Sequence, residues 1–583
     1  MAFSARTQKS AKRRWVIRQP SPEAGKLAQT LKISPLLAQV LINRGLCEQG
    51  PCFSFITPKL TDLIEPARMP GMESAVARIK AALAQKEKIT IYGDYDVDGI
   101  TATAILYQCL TLLGSVVDYY IPHRIEEGYG LNSEAVEQIA SSGTNLLITV
   151  DCGITAVEPV ARAAALGMDV IITDHHQFQL PLPAAAAIVH PLLDDQYPNH
   201  ASAGAMVAFK LAWALVNEFK TTARAQGPLR DFLINATTLA SLGTVADVVD
   251  LLGENRILTS YGLKALPDCQ LTGVKALLDC AGLTGQSLDS YHIAFVLAPM
   301  LNAAGRMGHA RLAVELLTSD NQLRSVHISE YLKAQNKQRQ QHEKEIFKHA
   351  CEMVAHAGLD HPDRRSIVLA HESWHIGVIG IVASRMVERY YRPTILLNCS
   401  GDLAQGSARS VAGFDILSGI KSCQEHCQSF GGHKMAAGLT LQKEKIGAFA
   451  QGFEAYARDN IGHNETESSL HIDALGSVGH FKADVVNQID LLGPFGQGNP
   501  KPIFASKGVK LIAAPRRVGP KGEHLQLSIS DTTGAMRCIG FNMGPLEKKV
   551  LEQEFFHIAY QPQLNTYNGS TSVQFVLEDL VFE

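Results

Sequence analysis

The chain has 583 residues, 46% of them hydrophobic and 19% charged, with 53 Lys and Arg against 57 Asp and Glu. That balance excludes wholesale disorder, no apolar run approaches the ~18–20 residues of a membrane span, and the length suggests about three to five domains. The cluster Arg6, Lys9, Lys12, Arg13 and Arg14 has no apolar stretch behind it, so no secretory signal is read. Eleven cysteines contain no Cys-x-x-Cys pair and fit a reduced, cytoplasmic chain. Cys423 and Cys427 have the spacing of one helix face.

From about Lys88, short β-branched runs alternate with helical stretches. The runs Ile89–Tyr92, Val116–Ile121, Leu146–Val150 and Val170–Thr173 are predicted strands. Ile100–Leu113, Ser133–Ala140 and Ile154–Leu166 carry apolar residues at helical spacing, and Gly114, Gly143 and Gly167 stand where those helices should stop. The alternation implies a mostly parallel sheet with crossover helices. A helical part follows, roughly Ala203 to Ala355, ending in the polar run Tyr331–Lys348, which reads as an exposed connecting helix.

A second, smaller α/β unit begins near Arg365, with a strand Ile367–Ala370, a helix Val378–Tyr390 and a strand Thr394–Leu397. After a polar gap at His463–Ser469, short strands (Lys510–Ala513, Leu525–Ile529, Met536–Phe541, Val573–Leu577) suggest a small β-barrel. The expected borders are 1–50 for an N-terminal extension, 51–330 for the first α/β domain with its helical part and 331–355 for the connecting helix. The second α/β domain then occupies 356–462 and the barrel 463–583.

The acids fall where the strands end. Ile89–Tyr92 runs into Gly93-Asp94-Tyr95-Asp96-Val97-Asp98-Gly99, Leu146–Val150 ends at Asp151, and Val170–Thr173 ends at Asp174-His175-His176. In an open α/β sheet the ligand crevice lies beyond the carboxyl ends of the strands. Asp94, Asp96 and Asp98 converge there if the extended geometry persists, because alternate residues of a strand face the same way. Asp247, after the apolar helix Leu233–Leu242, is a fourth contributor. So many carboxylates repel one another unless cations neutralise them. Carboxylate with imidazole suits Mn²⁺, and Mg²⁺ less strongly. Asp-x-Asp-x-Asp-Gly also resembles the start of a calcium loop, but the strand before it and the missing Glu after Gly99 count against that.

Those four segments, completed by Asp151-Cys152-Gly153 and Gly243-Thr244-Val245-Ala246-Asp247, resemble in order the motifs of the DHH phosphoesterase superfamily. Gly431-Gly432-His433 ahead of Ala436-Ala437-Gly438 resembles its associated substrate domain. Pro122-His123-Arg124, Gly128-Tyr129-Gly130, Leu301-Asn302, Gly305-Arg306, Trp374-His375, Gly406-Ser407-Ala408-Arg409 and Pro494-Phe495-Gly496-Gln497-Gly498-Asn499-Pro500 are similar to segments of the RecJ family. Two positions depart from it: His190-Pro191, where Asn-Pro is common, and Ser202, where Cys is common.

The resemblance implies a single-stranded-DNA-specific 5′→3′ exonuclease. It would release 5′-mononucleotides by two-metal hydrolysis, in recombination and repair. It assigns metal binding (two Mn²⁺ per site, or Mg²⁺) to Asp94, Asp96, Asp98, Asp151, His175 and Asp247. His176 stands beside them as a catalytic group, and Asp174 orients a histidine. Arg124, Tyr129, Asn302, Arg306, Ser407, Arg409, Gly432 and His433 become substrate contacts. Arg306 is read after a tight Asn302–Gly305 segment.

The barrel resembles an OB-fold, which binds single strands through a basic groove, and Lys507, Lys510, Arg516, Arg517 and Lys521 fall inside it. Single-strand-binding protein and a repair helicase are the expected partners of a monomer. Rivals are a phosphodiesterase of short oligonucleotides or cyclic dinucleotides, a manganese pyrophosphatase, and a non-catalytic DNA-binding adaptor. The first two do not need a β-rich tail, and the intact acid set counts against the third.

Overall fold

A computed structural model describes residues 13–123, 127–222, 224–306, 309–462, 469–567 and 569–582. Arg6, Lys9, Lys12, Arg124 and most of the polar gap (463–468) lie outside these residues. The chain divides into two units: Met1–Phe53 with Gln338–Leu491 and Pro502–Glu583, and Ser54–Lys337 with Leu492–Lys501.

In the second of these, Lys88–Gly93, Val116–Tyr120, Leu146–Val150, Asp169–Thr173 and Ala187–Val189 form one parallel sheet. Its spatial order is 116–120, 88–93, 146–150, 169–173, 187–189. Such a sheet must be covered on both faces. Ile89, Ile91, Leu146, Ile148 and Val150 point to one core, shared with Val207, Leu211 and Leu215 of the helix Gly204–Phe219. The alternate residues Tyr92 and Leu147 face the other, against Val136, Ile139, Val160 and Ala163. Gly114, Gly143 and Gly167 follow the crossover helices in the left-handed region, as expected of helix stops.

The connecting helix is longer than expected, Gln322–His356. Its early turns, up to the start of the polar run, are fixed by burial of Ser325, Ile328, Ser329 and Leu332 at i, i+3 and i+4 spacing.

In the other unit, the sheet order is 427–433, 436–442, 403–409, 394–398, 367–371. Only Ile367–His371 and Thr394–Asn398 are parallel; the rest is antiparallel. Cys423 and Cys427 do not share a helix. Helix Ile416–Lys421 has ended, a 3₁₀ turn spans Gln424–His426, and Cys427 opens a strand.

The C-terminal strands close into a barrel, because Phe504–Leu511 pairs with both Phe556–Tyr567 and His524–Ser530. Its core stacks Tyr560 on Phe575 at 3.8 Å, with Phe481 edge-on to both. The expected strand 573–577 lies within the longer Ser570–Phe582, whereas the expected 510–513 overlaps only the end of Phe504–Leu511, which starts six residues earlier and stops at Leu511. The start of the chain is no separate extension. Arg14–Ile17 pairs in parallel with Ser469–Ile472, and Trp15 Nε1 donates to Asp579 Oδ2 at 2.9 Å. Among the described residues no helix is long and apolar enough to cross a membrane.

Candidate functional site

Strand Lys88–Gly93 lies between its successor, Val116–Tyr120, and Leu146–Val150, so the strand order reverses at its carboxyl end. That switch point is where an α/β sheet opens a crevice. Asp94, Asp96 and Asp98 do not converge there by strand alternation. The strand ends at Gly93, and Asp96 caps the helix Val97–Leu112, its Oδ1 accepting from the Asp98 and Gly99 amides at 2.9 and 3.1 Å. A side-chain acceptor for orphan helix amides overrides extended geometry here. Asp98, in the first turn and buried, accepts from the Gly204 and Ala205 amides at 2.6 and 2.9 Å, the N-terminus of another helix.

Two glycines beside the acids, Gly204 and the motif glycine Gly243, are required by close approach. A Cβ on Gly204 would fall 2.6 Å from Asp151 Oδ1, and one on Gly243 would fall 2.6 Å from Asp98 Oδ1. Asp151 itself turns out of its strand at φ +61°, a strained conformation for a residue with a side chain.

Three overlapping groups have ligand atoms close enough to share a cation: Asp94, Asp96 and Asp151; Asp98, His175 and Asp247; Asp151, His175 and His176. The chemistry of these donors fits Mn²⁺ or Mg²⁺. His175 Nε2 lies 3.0 Å from Asp151 Oδ1, 3.7 Å from Asp247 Oδ2 and 3.8 Å from Asp98 Oδ2. Both His175 Nε2 and Asp151 Oδ1 are buried and make no hydrogen bond among the described residues. An octahedral ion with bonds of about 2.0–2.1 Å separates neighbouring ligands by about 2.9 Å. The other side of the His175 ring is engaged by the Ser202 backbone, which leaves Nε2 to the acids. Burial, helped by the charge of His176, pulls the His175 pKa down to about 3, so the ring is neutral, as a ligand must be.

The acids show the opposite strain. Burial first, and then the neighbouring carboxylates, push Asp98 up to about 7, Asp247 up to about 9 and Asp151 well above the ordinary carboxylate range.

Asp174 is occupied differently. Its Oδ2 accepts from the Ile154 amide at 3.0 Å, and its Oδ1 accepts from the His175 and His176 amides and lies 2.7 Å from His176 Nδ1. Burial opposes its charge, but these bonds prevail and hold it down at about 2. His176 also resists the effect of burial, and its bond to Asp174 with the charges of Asp247 and Asp94 raises it to about 9. Tyr129 Oη reaches His176 Nδ1 at 3.1 Å and the Asp151 carbonyl at 3.4 Å, leaving its ring half-exposed.

Asn302 and Arg306 do not lie on a tight turn. They belong to the helix Ala298–Arg306, and Gly305 marks a close approach in which a Cβ would come within 2.4 Å of the Tyr95 carbonyl. Arg124 lies outside the described residues. Arg409 Nη1 donates to Ser407 Oγ at 2.9 Å. His433 pairs with Ala436, which pairs with Arg409, so His433 and Arg409 share a row two strands apart. Gly432, beside His433, takes φ +141° and would drive a Cβ into the Ala436 carbonyl.

Sequence reasoning missed three supports: the Gly204–Ala205 amides, the Ser202 backbone and His190. His190 is fully buried, with Nε2 3.0 Å from the His176 carbonyl. The only signal for the last two was the departure at each position.

Three family models match the chain: the DHH family N-terminal domain over 88–240, the DHHA1 domain over 363–459 and the RecJ OB domain over 472–579. The single-stranded-DNA-specific exonuclease RecJ of Bacillus subtilis (strain 168) is 36% identical, over 98% of this chain and 71% of that protein. The protein of the same name from Escherichia coli (strain K12) is 33% identical, over 94% of this chain and 96% of its own length. The crystal structure of RecJ in complex with Mn²⁺ from Thermus thermophilus superposes with a TM-score of 0.82 at 30% identity, covering 97% of this chain and 79% of that one. The Mg²⁺ complex from the same organism gives 0.78 at 28%, covering 98% and 78%. With a parallel-sheet acid centre, an associated mixed sheet and a closed barrel in the matching order, the chain belongs to the RecJ family.

Proposed function

We propose that this chain is a metal-dependent exonuclease of single-stranded DNA that digests 5′→3′, releases 5′-mononucleotides and serves recombination and repair. The observation that carries the reading is the bare, neutral His175 Nε2 facing Asp151 Oδ1 at 3.0 Å within a ring of acids. The names of the relatives and the metals in the Thermus structures support it.

Asp94, Asp96 and Asp151 would hold one divalent cation and Asp98, His175 and Asp247 a second, with manganese favoured by the imidazole and magnesium as the alternative. Two such cations, held by these residues, would supply an activated water and neutralise charge on the scissile phosphate. The chain's own groups do the rest. His176, protonated beside Asp174, offers its proton to the leaving 3′-oxygen or a hydrogen bond to the phosphate. Asp174 fixes that ring and is a positioning residue. The half-exposed Tyr129 ring offers a face on which an unpaired base stacks, which favours single strands. Arg124, Asn302 and Arg306, and on the associated domain Ser407, Arg409, Gly432 and His433, are proposed to position backbone phosphates.

Lys507, Lys510, Arg516, Arg517 and Lys521 are all exposed on the barrel and suit the trailing strand. The eleven unpaired cysteines fit a cytoplasmic setting, with single-strand-binding protein and a repair helicase as partners of a monomer.

The test is digestion of an oligonucleotide labelled separately at each end, in Mn²⁺. Early release of labelled mononucleotide from the 5′ end is expected. Early release from the 3′ end would overturn the direction, and binding without cleavage in either metal would favour the adaptor reading.

A further inference from the structure

The motif Pro494–Pro500 has no part in the chemistry above, and its place in the fold is unexpected. The chain leaves the unit that holds the barrel at Leu491 and rejoins it at Pro502, and the ten residues between them, Leu492–Lys501, pack with the parallel-sheet unit. There they form a small closed loop. Gly496 and Asn499 exchange backbone hydrogen bonds at 3.0 and 3.2 Å. The fully buried Asn499 side chain donates to the Leu492 and Pro494 carbonyls, both at 2.8 Å.

The loop accepts from Arg256 Nη1 at its Leu492 carbonyl, at 2.7 Å, and from Ser290 Oγ at its Phe495 carbonyl, and it also grips the turn that leaves Asp247. The Leu251 amide donates to the Gln497 carbonyl at 2.8 Å. A Cβ on Gly498 would fall 2.8 Å from Asp250 Cγ, and one on Gly496 would fall 2.7 Å from Leu251 Cδ1, so the loop lies directly against that turn. The buried Asn255 side chain holds the same turn, donating to the Asp250 carbonyl at 3.0 Å and the Ala201 carbonyl at 2.7 Å. Between Asp247 and this grip stands Val248 at φ +61°, with its side chain largely in solvent. A β-branched residue is held in the left-handed region only when its surroundings over-determine the backbone.

We propose that Leu492–Lys501 is a clamp that holds the strained Val248–Leu252 turn and thereby aims the Asp247 carboxylate at its cation, with Gly498 and Asn499 as positioning residues. This rests on reading Asp247 as a metal ligand. Removal of the clamp weakens one metal site while leaving DNA binding alone, which ordinary packing would not do.

The test measures Mn²⁺ binding to the full chain by the electron paramagnetic resonance of free Mn²⁺, together with KM and kcat on single-stranded DNA. Gly498→Ala is expected to weaken one of two bound ions at least tenfold and to lower kcat at limiting Mn²⁺, with KM for DNA unchanged and excess Mn²⁺ restoring the rate. Asp247→Asn should weaken the same ion. Gly282→Ala, an equally left-handed glycine with open space around it, should bind both ions as the parent does. Adding Val248→Gly to Gly498→Ala removes the strain and should recover most of the lost affinity. Should Gly498→Ala not fold, Asn499→Ala, which adds no atoms, is expected to show the same tenfold weakening.

Parent-like affinity in a folded clamp variant, beside a weakened Asp247→Asn, would overturn the clamp. Parent-like affinity in Asp247→Asn would instead remove Asp247 from the metal site, and the clamp's purpose with it.

Discussion

His175 Nε2 and Asp151 Oδ1 stand 3.0 Å apart, both buried, without a hydrogen bond between them. Two such atoms left without a proton would be expensive in a structure that lacked a cation to share. His175→Ala and Asp151→Asn should therefore each cut metal-dependent nuclease activity by about 100-fold or more, since neither a missing imidazole nor an amide in place of the carboxylate completes the site. In EDTA, Asp151→Asn should melt no lower than the parent, because the amide replaces a carboxyl whose charged form burial and the neighbouring acids disfavour. Nuclease assays and melting curves with and without Mn²⁺ check both expectations.

The raised carboxyls make the metal-free protein sensitive to alkali. Asp98 and Asp247, at about 7 and about 9 in the folded chain, keep protons that the unfolded chain releases near 3.8. The folded state thus binds more protons between those values. The stability this provides is fully present below pH ~4 and is lost as pH climbs through about 7 to 9. In EDTA the melting temperature should fall between pH 5 and pH 8.5, and Mn²⁺ should raise it far more at pH 8.5 than at pH 5. An equal Mn²⁺ effect at both pH values would contradict the crowded-acid picture.

Asp174 sits 1% exposed with every oxygen engaged, so its neutral analogue tests its role as an organiser. Asp174→Asn should lower activity about 10–100-fold, the usual consequence of losing a group that orients catalytic side chains. Both Mn²⁺ ions should still bind, as counted by calorimetric titration. Loss of an ion would instead make Asp174 a ligand.

Much of this centre was legible because parallel strands are buried on both faces and read as short apolar runs, so acids at their ends stand out. Leu146–Val150 and Asp151 are such a case. Strand alternation does not account for Asp94, Asp96 and Asp98: Asp94 and Asp96 group with Asp151, Asp98 with His175 and Asp247, and Asp96 caps a helix, so local capping chemistry overrides the extended pattern. Close approaches were invisible. Gly305 looked like a turn residue and is a helix contact against Tyr95, while the fit of Gly243 against Asp98 depends on the packing of separate helices. The pairing of Arg14–Ile17 with Ser469–Ile472 joins segments more than 450 residues apart, beyond the reach of any local pattern.

The exposed cations of the barrel make a separable prediction. Replacing Lys507, Lys510, Arg516 and Arg517 with Ala should lower the salt dependence of single-stranded DNA binding, by about 0.7 in slope for each phosphate no longer neutralised. The rate on oligonucleotides too short to reach the barrel should stay unchanged. Binding isotherms across a series of KCl concentrations give the slope, and an unchanged slope would place the DNA elsewhere.

The most direct measurement is anomalous scattering from crystals soaked in Mn²⁺, collected at the manganese edge. Two peaks are expected, one touching Asp94, Asp96 and Asp151, the other Asp98, His175 and Asp247, and both should vanish in Asp151→Asn, His175→Ala double-variant crystals. Peaks absent from these residues in an enzyme that cleaves DNA in the same Mn²⁺ would contradict the assignment of this acid and imidazole cluster as the metal centre.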